Sequence, residues 1–217
     1  MLERTQRSLG TTDAAPLAIR RIDAIQVALP LKAPMKMAGI TITRAENLLV
    51  RVEAARGEVG WGEAPSAPTM TGDTLGGLVA AVRDHLAPLL IGKNARTDHR
   101  AMLQRALTGN TGAHSALEMA LLDLVGRAGH TRLIDLVARP LRAQVAPMWL
   151  LGNATPEQDI AEAKERQAQG FDFFKLKIGV KPIAAEIAAA HAIRTALPGA
   201  TLCADANCGL TLAAARR

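Results

Sequence analysis

The last third of the chain alternates between short apolar segments and longer segments with helical spacing. The apolar segments have the length of buried strands: QVAPMWLLG (144–152), FDFFKLKIG (171–179) and ATLCADAN (200–207). The segments between them, 155–170 and 182–199, have the spacing of helices, and the first carries Thr155 as N-cap, Pro156 at the first helical position and Gly170 after the end. This β-α-β-α-β order predicts parallel strands joined by helical crossovers, because parallel neighbours cannot be joined by a tight turn.

The preceding part of the chain begins with strand patterns between residues 19 and 64. The segment IDAIQVALP places Ile25, Val27 and Leu29 on one face of a strand. The segments NLLVRVEA and EVGWGEA are separated by AARG, and Gly57 in this connector favours a hairpin. We therefore expect an antiparallel sheet in this part of the chain.

Two segments, 32–44 and 65–72, interrupt these strand patterns. Both are rich in Pro, Gly, Met and Thr, and we expect them to be long loops. Loops of this length are often lids or binding loops, although surface loops without a binding role have the same composition.

Helical spacing follows the sheet. Asp73 can cap a first helix, and Thr97 with Asp98 can open a second. The clearest helix is GAHSALEMALLDLVGRAG (112–129), in which His114 is expected to be a packing or capping residue, and a short helix is expected over 131–138. A sheet that is followed along the chain by helices indicates an α+β domain. We expect a flexible tail over 1–16, this domain over 17–140, and the α/β part over 141–217.

Composition excludes several classes of protein. The net charge is +6, but Lys and Arg are scattered among acids and no basic run contains stacking aromatics, so nucleic-acid binding is disfavoured. Cys203 and Cys208 have no second Cys or His pair to complete a zinc site. The first residues lack the apolar core of a signal peptide, and no segment is apolar enough to span a membrane. We expect a cytoplasmic protein whose partners are neither nucleic acids nor membranes.

Four polar residues follow the rule that functional groups collect at the carboxyl ends of parallel strands. Lys175 and Lys177 lie two residues apart in one strand, and Asp205 and Asn207 lie two apart at the end of the next. Period-two alternation places each pair on one face, so both pairs are expected to meet. Desolvation and like-charge repulsion favour the neutral amine in such a lysine pair, and a neutral lysine is a general base. Asp205 supplies hard oxygen of the kind that Mg²⁺ prefers.

Other interpretations of these residues remain open. Lysines also occur on exposed edge strands, where they prevent aggregation. The segment DANCG is compatible with a plain turn or the start of a calcium loop, but an EF-hand is excluded because Gly209 and Arg216 stand at its fifth and twelfth positions.

The combination of motifs is more specific than any one of them. The α+β domain contains the motifs VGWGEA (59–64) and ALEMALLDLVGR (116–127), and the α/β part contains FKLKIG (174–179) and ADAN (204–207). This combination resembles the enolase superfamily, in particular its muconate lactonizing enzyme (muconate cycloisomerase) and mandelate racemase branch. The resemblance implies a capping domain followed by a (β/α) TIM-type barrel. It also implies a Mg²⁺-dependent isomerase, with Mn²⁺ as an alternative metal, that abstracts a proton α to the carboxylate of a small substrate.

The resemblance assigns roles to the four polar residues. Lys177 matches the base, Lys175 its neighbouring cation, Asp205 the first of three metal-binding carboxylates, and Asn207 the companion of Asp205. Racemase, epimerase and cycloisomerase reactions are all implied, and an acid-sugar or hydroxyproline-type dehydratase is an alternative within the family.

The chain also departs from the family pattern. Its barrel has eight strands and needs about 250 residues, whereas the pattern here predicts three. We therefore expect an incomplete barrel with weak or absent Mg²⁺ binding and little turnover by this chain alone, and a homo-oligomer if the barrel is complete. The alternative to an enzyme is a protein without catalytic activity, either a remnant of the family fold or an oligomerising module.

Overall fold

The computed structural model describes residues 16–37, 40–152, 155–179, 181–207 and 209–216. The chain divides into two compact units, and the division falls between Pro140 and Leu141. Each unit has its own hydrophobic core. Apart from Pro16, the predicted flexible tail lies outside the described residues, as does Cys208.

Unit 1 is an antiparallel sheet followed by helices. Its strands pair in the order β1-β2-β3 and are β1 (Ile19–Met37), β2 (Ile40–Ala54) and β3 (Val59–Pro65). Its α-helices are α1 (Leu75–Ala80), α2 (Arg100–Ala106), α3 (Thr111–Ala128) and α4 (Leu133–Val137). A π-helical turn (Ala81–Leu86) and a 3₁₀ turn (Ala87–Leu89) continue α1. The predicted hairpin between β2 and β3 is present, with Gly57 at a φ of +98°.

Helix α3 packs closely on β3 because two glycines leave room for its backbone. A Cβ at Gly60 would come 2.7 Å from Leu124 Cα, and one at Gly62 would come 2.8 Å from the Ala120 nitrogen. The apolar face of α3 that the spacing predicts is buried: Ala113, Ala116, Leu117, Ala120, Leu121, Leu124 and Val125. The motif VGWGEA thus encodes the helix–sheet contact of this unit.

The prediction of a loop over 32–44 is wrong. Strands β1 and β2 continue through this segment as a hairpin in which Met35 pairs with Ile42 and Met37 with Ile40, beyond a register shift between Pro30 and Met35. The segment ITIT, 40–43, consists entirely of β-branched residues and alternates apolar Ile with polar Thr, and this strand signal outweighs the Pro and Gly content. Residues 38–39 lie outside the described residues. The other predicted loop, 65–72, is mostly turn structure after the last residue of β3.

Strand β1 carries Ile25, Val27 and Leu29 on one face, as expected, and this face points away from the core of unit 1. Ile22 and Ala24 pack against the core, since their partners in β2 are Val52 and Val50, both fully buried. Ile25, Val27 and Leu29 lie on the opposite face, where Leu29 is 61% exposed. Both faces of β1 carry apolar residues, so alternation alone does not identify the inner one.

The first two helices of unit 1 start slightly later than predicted, whereas the first helix of unit 2 has the predicted Thr155 N-cap followed by Pro156. Thr74 caps α1 by accepting a hydrogen bond from the Gly77 N–H at 3.2 Å, whereas the Asp73 carboxylate accepts one from the Thr71 hydroxyl. Helix α2 begins at Arg100. His114 Nε2 lies 2.9 Å from the Leu107 carbonyl oxygen, in the structural role expected.

Unit 2 is a parallel sheet with the order β4-β5-β6: β4 (Met148–Leu151), β5 (Phe173–Lys177) and β6 (Thr201–Asp205). Its helices are α5 (Pro156–Ala168), α6 (Ile183–Ala196) and α7 (Leu212–Ala215). Strand β4 begins at Met148, later than predicted, after Pro147, which has no N–H to donate to a ladder. The core lies between the sheet and the helices and contains Leu151, Ala163, Phe174, Leu176, Ile193, Leu197 and Ala200. Among the described residues, no helix is long and apolar enough to cross a membrane.

The close contact between β3 and α3 generates a stability prediction. We expect Gly62→Ala to lower the free energy of unfolding of unit 1 by about 1–3 kcal/mol, because the added methyl group forces α3 away from the sheet. The measurement is urea unfolding in a Trp149→Phe background, where Trp61 reports on unit 1. Gly76→Ala in α1 is the matched control, since a Cβ there meets no atom within 4 Å. Equal destabilisation by both substitutions would contradict the prediction.

A charge network on unit 1 generates a pH prediction. The pKa of the buried Glu53 carboxyl lies below its usual value because Arg51, at 2.8 Å, and Arg20 donate hydrogen bonds to it. Glu53 therefore stabilises the fold above the usual pKa of about 4.3, and this contribution is lost as pH falls through the folded-state pKa. We expect Glu53→Gln to lower the urea midpoint of unit 1 at pH 7, and we expect this difference from the unsubstituted chain to shrink in acid. Glu46→Gln, at an exposed position on the same strand, should change the midpoint little at either pH.

Candidate functional site

The parallel register of β5 and β6 determines which side chains meet at the end of the sheet in unit 2. Lys177 pairs with Asp205, and Lys175 pairs with Cys203. Phe174 and Leu176 are buried against the helices, so alternation directs both lysines to the other face. The two pairs of polar residues, each with one residue between its members, thus form one cluster.

Asp205 lies between the two ammonium groups. Its Oδ2 is 3.2 Å from Lys175 Nζ and 3.4 Å from Lys177 Nζ. Lys177 also donates a hydrogen bond to Asn207 Oδ1. The Lys177 side chain is 15% exposed and that of Lys175 is 27% exposed, so both amines lie in a partly desolvated site. The structure therefore brings together all four residues that the sequence singled out, while their roles stay predictions.

The Asp205 carboxyl is held in its ionised form. The Asn207 backbone N–H donates to Oδ1 at 2.9 Å, and this bond is the largest cause that lowers the pKa of Asp205. The Lys175 hydrogen bond and the charge of Lys177 lower this pKa further. Asn207 adopts a φ of +45°, a left-handed conformation that asparagine tolerates better than most residues.

This arrangement modifies the electrostatics expected from the sequence. The expectation for Lys175 and Lys177 considered desolvation and mutual repulsion, both of which favour a neutral amine. In the structure a carboxylate contacts both amines, and its attraction offsets their repulsion.

The described residues alone do not fit a Mg²⁺ ion. No group of three or more His, Cys, Asp or Glu side chains with the geometry to hold a metal occurs among them. Asp205 has both carboxylate oxygens engaged, and the Asn207 amide oxygen accepts from Lys177. Mg²⁺ requires near-octahedral oxygen coordination, and two adjacent ammonium groups oppose a divalent cation at this place.

Two further side chains on the same face were not singled out from the sequence. Leu150 in β4 and Cys203 in β6 are the cross-strand partners of Lys175. The Cys203 thiol lies 3.7 Å from the sulfur of Met148. Period-two alternation in β4 and β6 was the signal that could have placed them beside the lysines. They give the cluster apolar and thiol neighbours.

Both units match known family models. Residues 19–138 match the N-terminal domain of mandelate racemase/muconate lactonizing enzyme, and residues 158–217 match the enolase C-terminal domain-like model.

Two curated relatives are identical to this chain at about a third of the aligned positions. The L-Ala-D/L-Glu epimerase of Bacillus subtilis is 35% identical over 197 residues, which cover 89% of this chain and 53% of the epimerase. A chloromuconate cycloisomerase of Cupriavidus necator is 32% identical over 176 residues, which cover 79% of this chain and 47% of the cycloisomerase. The chain thus spans about half the length of these relatives.

Solved structures of similar proteins agree with this comparison. Muconate lactonizing enzyme from Pseudomonas fluorescens, complexed with muconolactone, matches with a TM-score of 0.85 and 31% identity over 93% of this chain and 56% of that one. An enolase superfamily member from Roseovarius nubinhibens, complexed with magnesium, matches with a TM-score of 0.82 and 28% identity over 92% of this chain and 55% of that one.

The expected fold class is therefore confirmed: an α+β capping domain is followed by a TIM-type barrel that is represented by three strands among the described residues. The matches of both units to family models and the likeness to curated isomerases agree with the motifs around β3, α3, β5 and β6. This chain belongs to the mandelate racemase/muconate lactonizing enzyme family of the enolase superfamily.

Proposed function

We propose that the complete protein, whether it contains this chain as one part or consists of it, acts on a small carboxylate substrate. It abstracts the proton α to the substrate carboxylate. Lys177 is the base, and the reaction class is racemisation, epimerisation or cycloisomerisation. The observation that carries the proposal is the convergence of Lys175 and Lys177 on Asp205 at the carboxyl end of two parallel strands. The likeness to an epimerase and to cycloisomerases supports an isomerase over a dehydratase.

Lys177 Nζ has a defined position because it contacts Asp205 Oδ2 and Asn207 Oδ1. Once the amine has taken the substrate proton, Asp205 Oδ2 and Asn207 Oδ1 are in place to accept hydrogen bonds from the ammonium group. The same contacts hold the amine at one position before the transfer, and a base must be within hydrogen-bond reach of the proton that it takes. Return of a proton to the α-carbon completes racemisation or epimerisation. In a cycloisomerisation the electrons of the enolate instead break an intramolecular bond to the β-carbon, so that no group leaves the molecule.

Lys175 is proposed to bind the substrate carboxylate. Its side chain is more exposed than that of Lys177, and both ammonium groups contact Asp205. A cation beside the carboxylate stabilises the negative charge that develops there when the α-proton leaves, and this stabilisation is strong where water is excluded.

Mg²⁺ dependence is proposed for the whole protein only. Asp205 would supply one oxygen ligand, and the others would come from residues outside those described. Mn²⁺ is the alternative metal. The described residues by themselves are proposed to bind either ion weakly or not at all, since their donor atoms already hold protein partners.

We further propose that residues 17–140 act as the capping domain, that 141–217 begin the barrel domain, and that 32–44 and 65–72 carry substrate specificity. Homo-oligomerisation of the complete protein is part of the same proposal. The likeness to an L-Ala-D/L-Glu epimerase and to chloromuconate cycloisomerases suggests Ala-Glu dipeptides and muconates as substrates to test.

Substitution of the proposed base tests the function. The assay protein is a chimera in which the C-terminal half of L-Ala-D/L-Glu epimerase continues this chain, and the readout is uptake of deuterium from D₂O at the α-carbon of an Ala-Glu dipeptide. We expect Lys177→Ala to lower the rate about 10²–10⁴-fold, the usual contribution of a general base. Lys164→Ala, at an exposed position on α5, is the control and should leave the rate unchanged. Retention of the full rate by Lys177→Ala would refute the assignment.

The 217-residue chain alone is expected to show little or no exchange. Among its described residues it presents three barrel strands and no group of three metal-binding side chains. Measurable Mg²⁺-dependent exchange by the purified chain would contradict this expectation.

The balance of charge around Asp205 can be tested without turnover. We expect Asp205→Asn to lower the urea midpoint of unit 2 at neutral pH, because two ammonium groups then lie close together with no carboxylate between them. Lys175→Met should lower the midpoint in the unsubstituted chain but raise it in the Asp205→Asn background. Because the folded-state pKa of Asp205 is lowered, the effect of Asp205→Asn should disappear as pH falls through that value. Trp149 fluorescence in a Trp61→Phe background reports on unit 2, and simple additivity of the two substitutions would rule out the coupling.

A further inference from the structure

Two buried carboxylates in unit 2 bind backbone groups that lie beside the proposed active-site residues. Asp159, 3% exposed, is in the first turns of α5, and Glu186, 8% exposed, is in the first turns of α6. Both side chains bind backbone N–H groups outside their own helices. Buried polar side chains are normally hydrogen-bonded, and these two carboxylates find their partners among backbone N–H groups.

Asp159 holds the residue that follows β4. Its Oδ1 accepts a hydrogen bond from the Gly152 N–H at 3.1 Å. Helix α5 does not need this carboxylate as a cap, because Thr155 and Gln158 already form a reciprocal capping box at its start. The Asp159 bond therefore ties the helix to the strand end.

Gly152 in turn lies against the backbone of Lys177. A Cβ at Gly152 would come 2.7 Å from the Lys177 carbonyl oxygen and 2.8 Å from its nitrogen. The φ of +103° at Gly152 is also a conformation that favours glycine. Asp159 thus fixes the backbone that sits directly on the proposed base.

Glu186 repeats the arrangement one strand further along. Its Oε2 accepts from the Gly179 N–H at 2.9 Å, and its Oε1 accepts from the Lys181 N–H at 2.8 Å. Gly179 has a φ of +89°, and a Cβ there would come 3.3 Å from the Cβ and carbonyl oxygen of Ala206. Ala206 is the residue between Asp205 and Asn207. The glycine precedes the carboxylate by seven residues in both cases.

We propose that Asp159 and Glu186 are positioning residues, which hold Gly152 against Lys177 and Gly179 against the 205–207 segment so that base and carboxylate face each other. The inference rests on the proposed function for its meaning, since it concerns the placement of the proposed base and its partner. The contacts themselves do not depend on turnover.

The test uses NMR on the 217-residue chain labelled with ¹⁵N and with ¹³C in the lysine side chains. We expect Asp159→Ala to raise the hydrogen-exchange rate of the Gly152 amide about tenfold, which corresponds to the loss of one hydrogen bond, and to shift the Lys177 side-chain resonance. The Gly179 and Asn207 amides should keep their shifts. Glu186→Ala should have the reciprocal effect on the Gly179 and Asn207 amides and leave the Gly152 amide unchanged.

Conservative variants distinguish positioning from a general loss of structure. Asp159→Asn and Glu186→Gln keep an acceptor oxygen and should restore most of the wild-type shifts at their own site. If either alanine variant fails to fold, these two variants carry the test, with smaller changes expected at the same glycine only. Glu157→Gln, at an exposed position in the first turn of α5, is the control and should move none of these resonances.

Two results would overturn the inference. In the first, hydrogen exchange of the Gly152 amide becomes faster but the Lys177 side-chain resonance does not shift. In the second, every variant changes the amide exchange rates and shifts of both glycines equally. The proposed function could fail in the chimera assay while these shifts still occur, so the two failures are distinguishable.

Discussion

In unit 2, the parallel register between β5 and β6 places a carboxylate beside two ammonium groups. A shift of this register by one residue would turn Asp205 to the helix-facing side, where Phe174 and Leu176 form the core. The burial of these apolar residues therefore fixes the register, and the register fixes the charged cluster. The hydrophobic effect that stabilises the sheet thus also assembles the candidate site.

Unit 1 shows the same dependence of architecture on a few contacts. Gly60 and Gly62 let the backbone of α3 approach β3, and the small residues of α3 complete the contact. The long hairpin of β1 and β2 extends from the sheet that this contact supports. Within the segment 32–44, residues 35–37 pair with 40–42 as antiparallel strands.

Much of this could be predicted from the sequence because the patterns were local. Alternating strand and helix signals gave the element order of unit 2, and the two-residue spacing of Lys175 with Lys177 predicted that they meet Asp205. The strands through 32–44 were missed because the Pro and Gly content was given more weight than the run of β-branched residues in ITIT, in which apolar Ile alternates with polar Thr. The inner face of β1 could not be read, since its apolar residues occur on both faces and only pairing with β2 decides. Asp159 and Glu186 look like ordinary acids at helix starts, and only their three-dimensional contacts link them to glycines seven residues earlier.

The two glycine–carboxylate contacts run in one direction around the sheet. A carboxylate near each helix start binds the glycine that follows the preceding strand, and this glycine contacts the next strand or the residue just after it: Gly152 contacts Lys177, and Gly179 contacts Ala206. The backbone position at the end of each strand thus depends on the strand–helix module before it. A loop that is grafted after one strand to change substrate preference would also displace the candidate site residues on the following strand. Directed evolution of such a barrel should therefore randomise neighbouring strand–helix modules together.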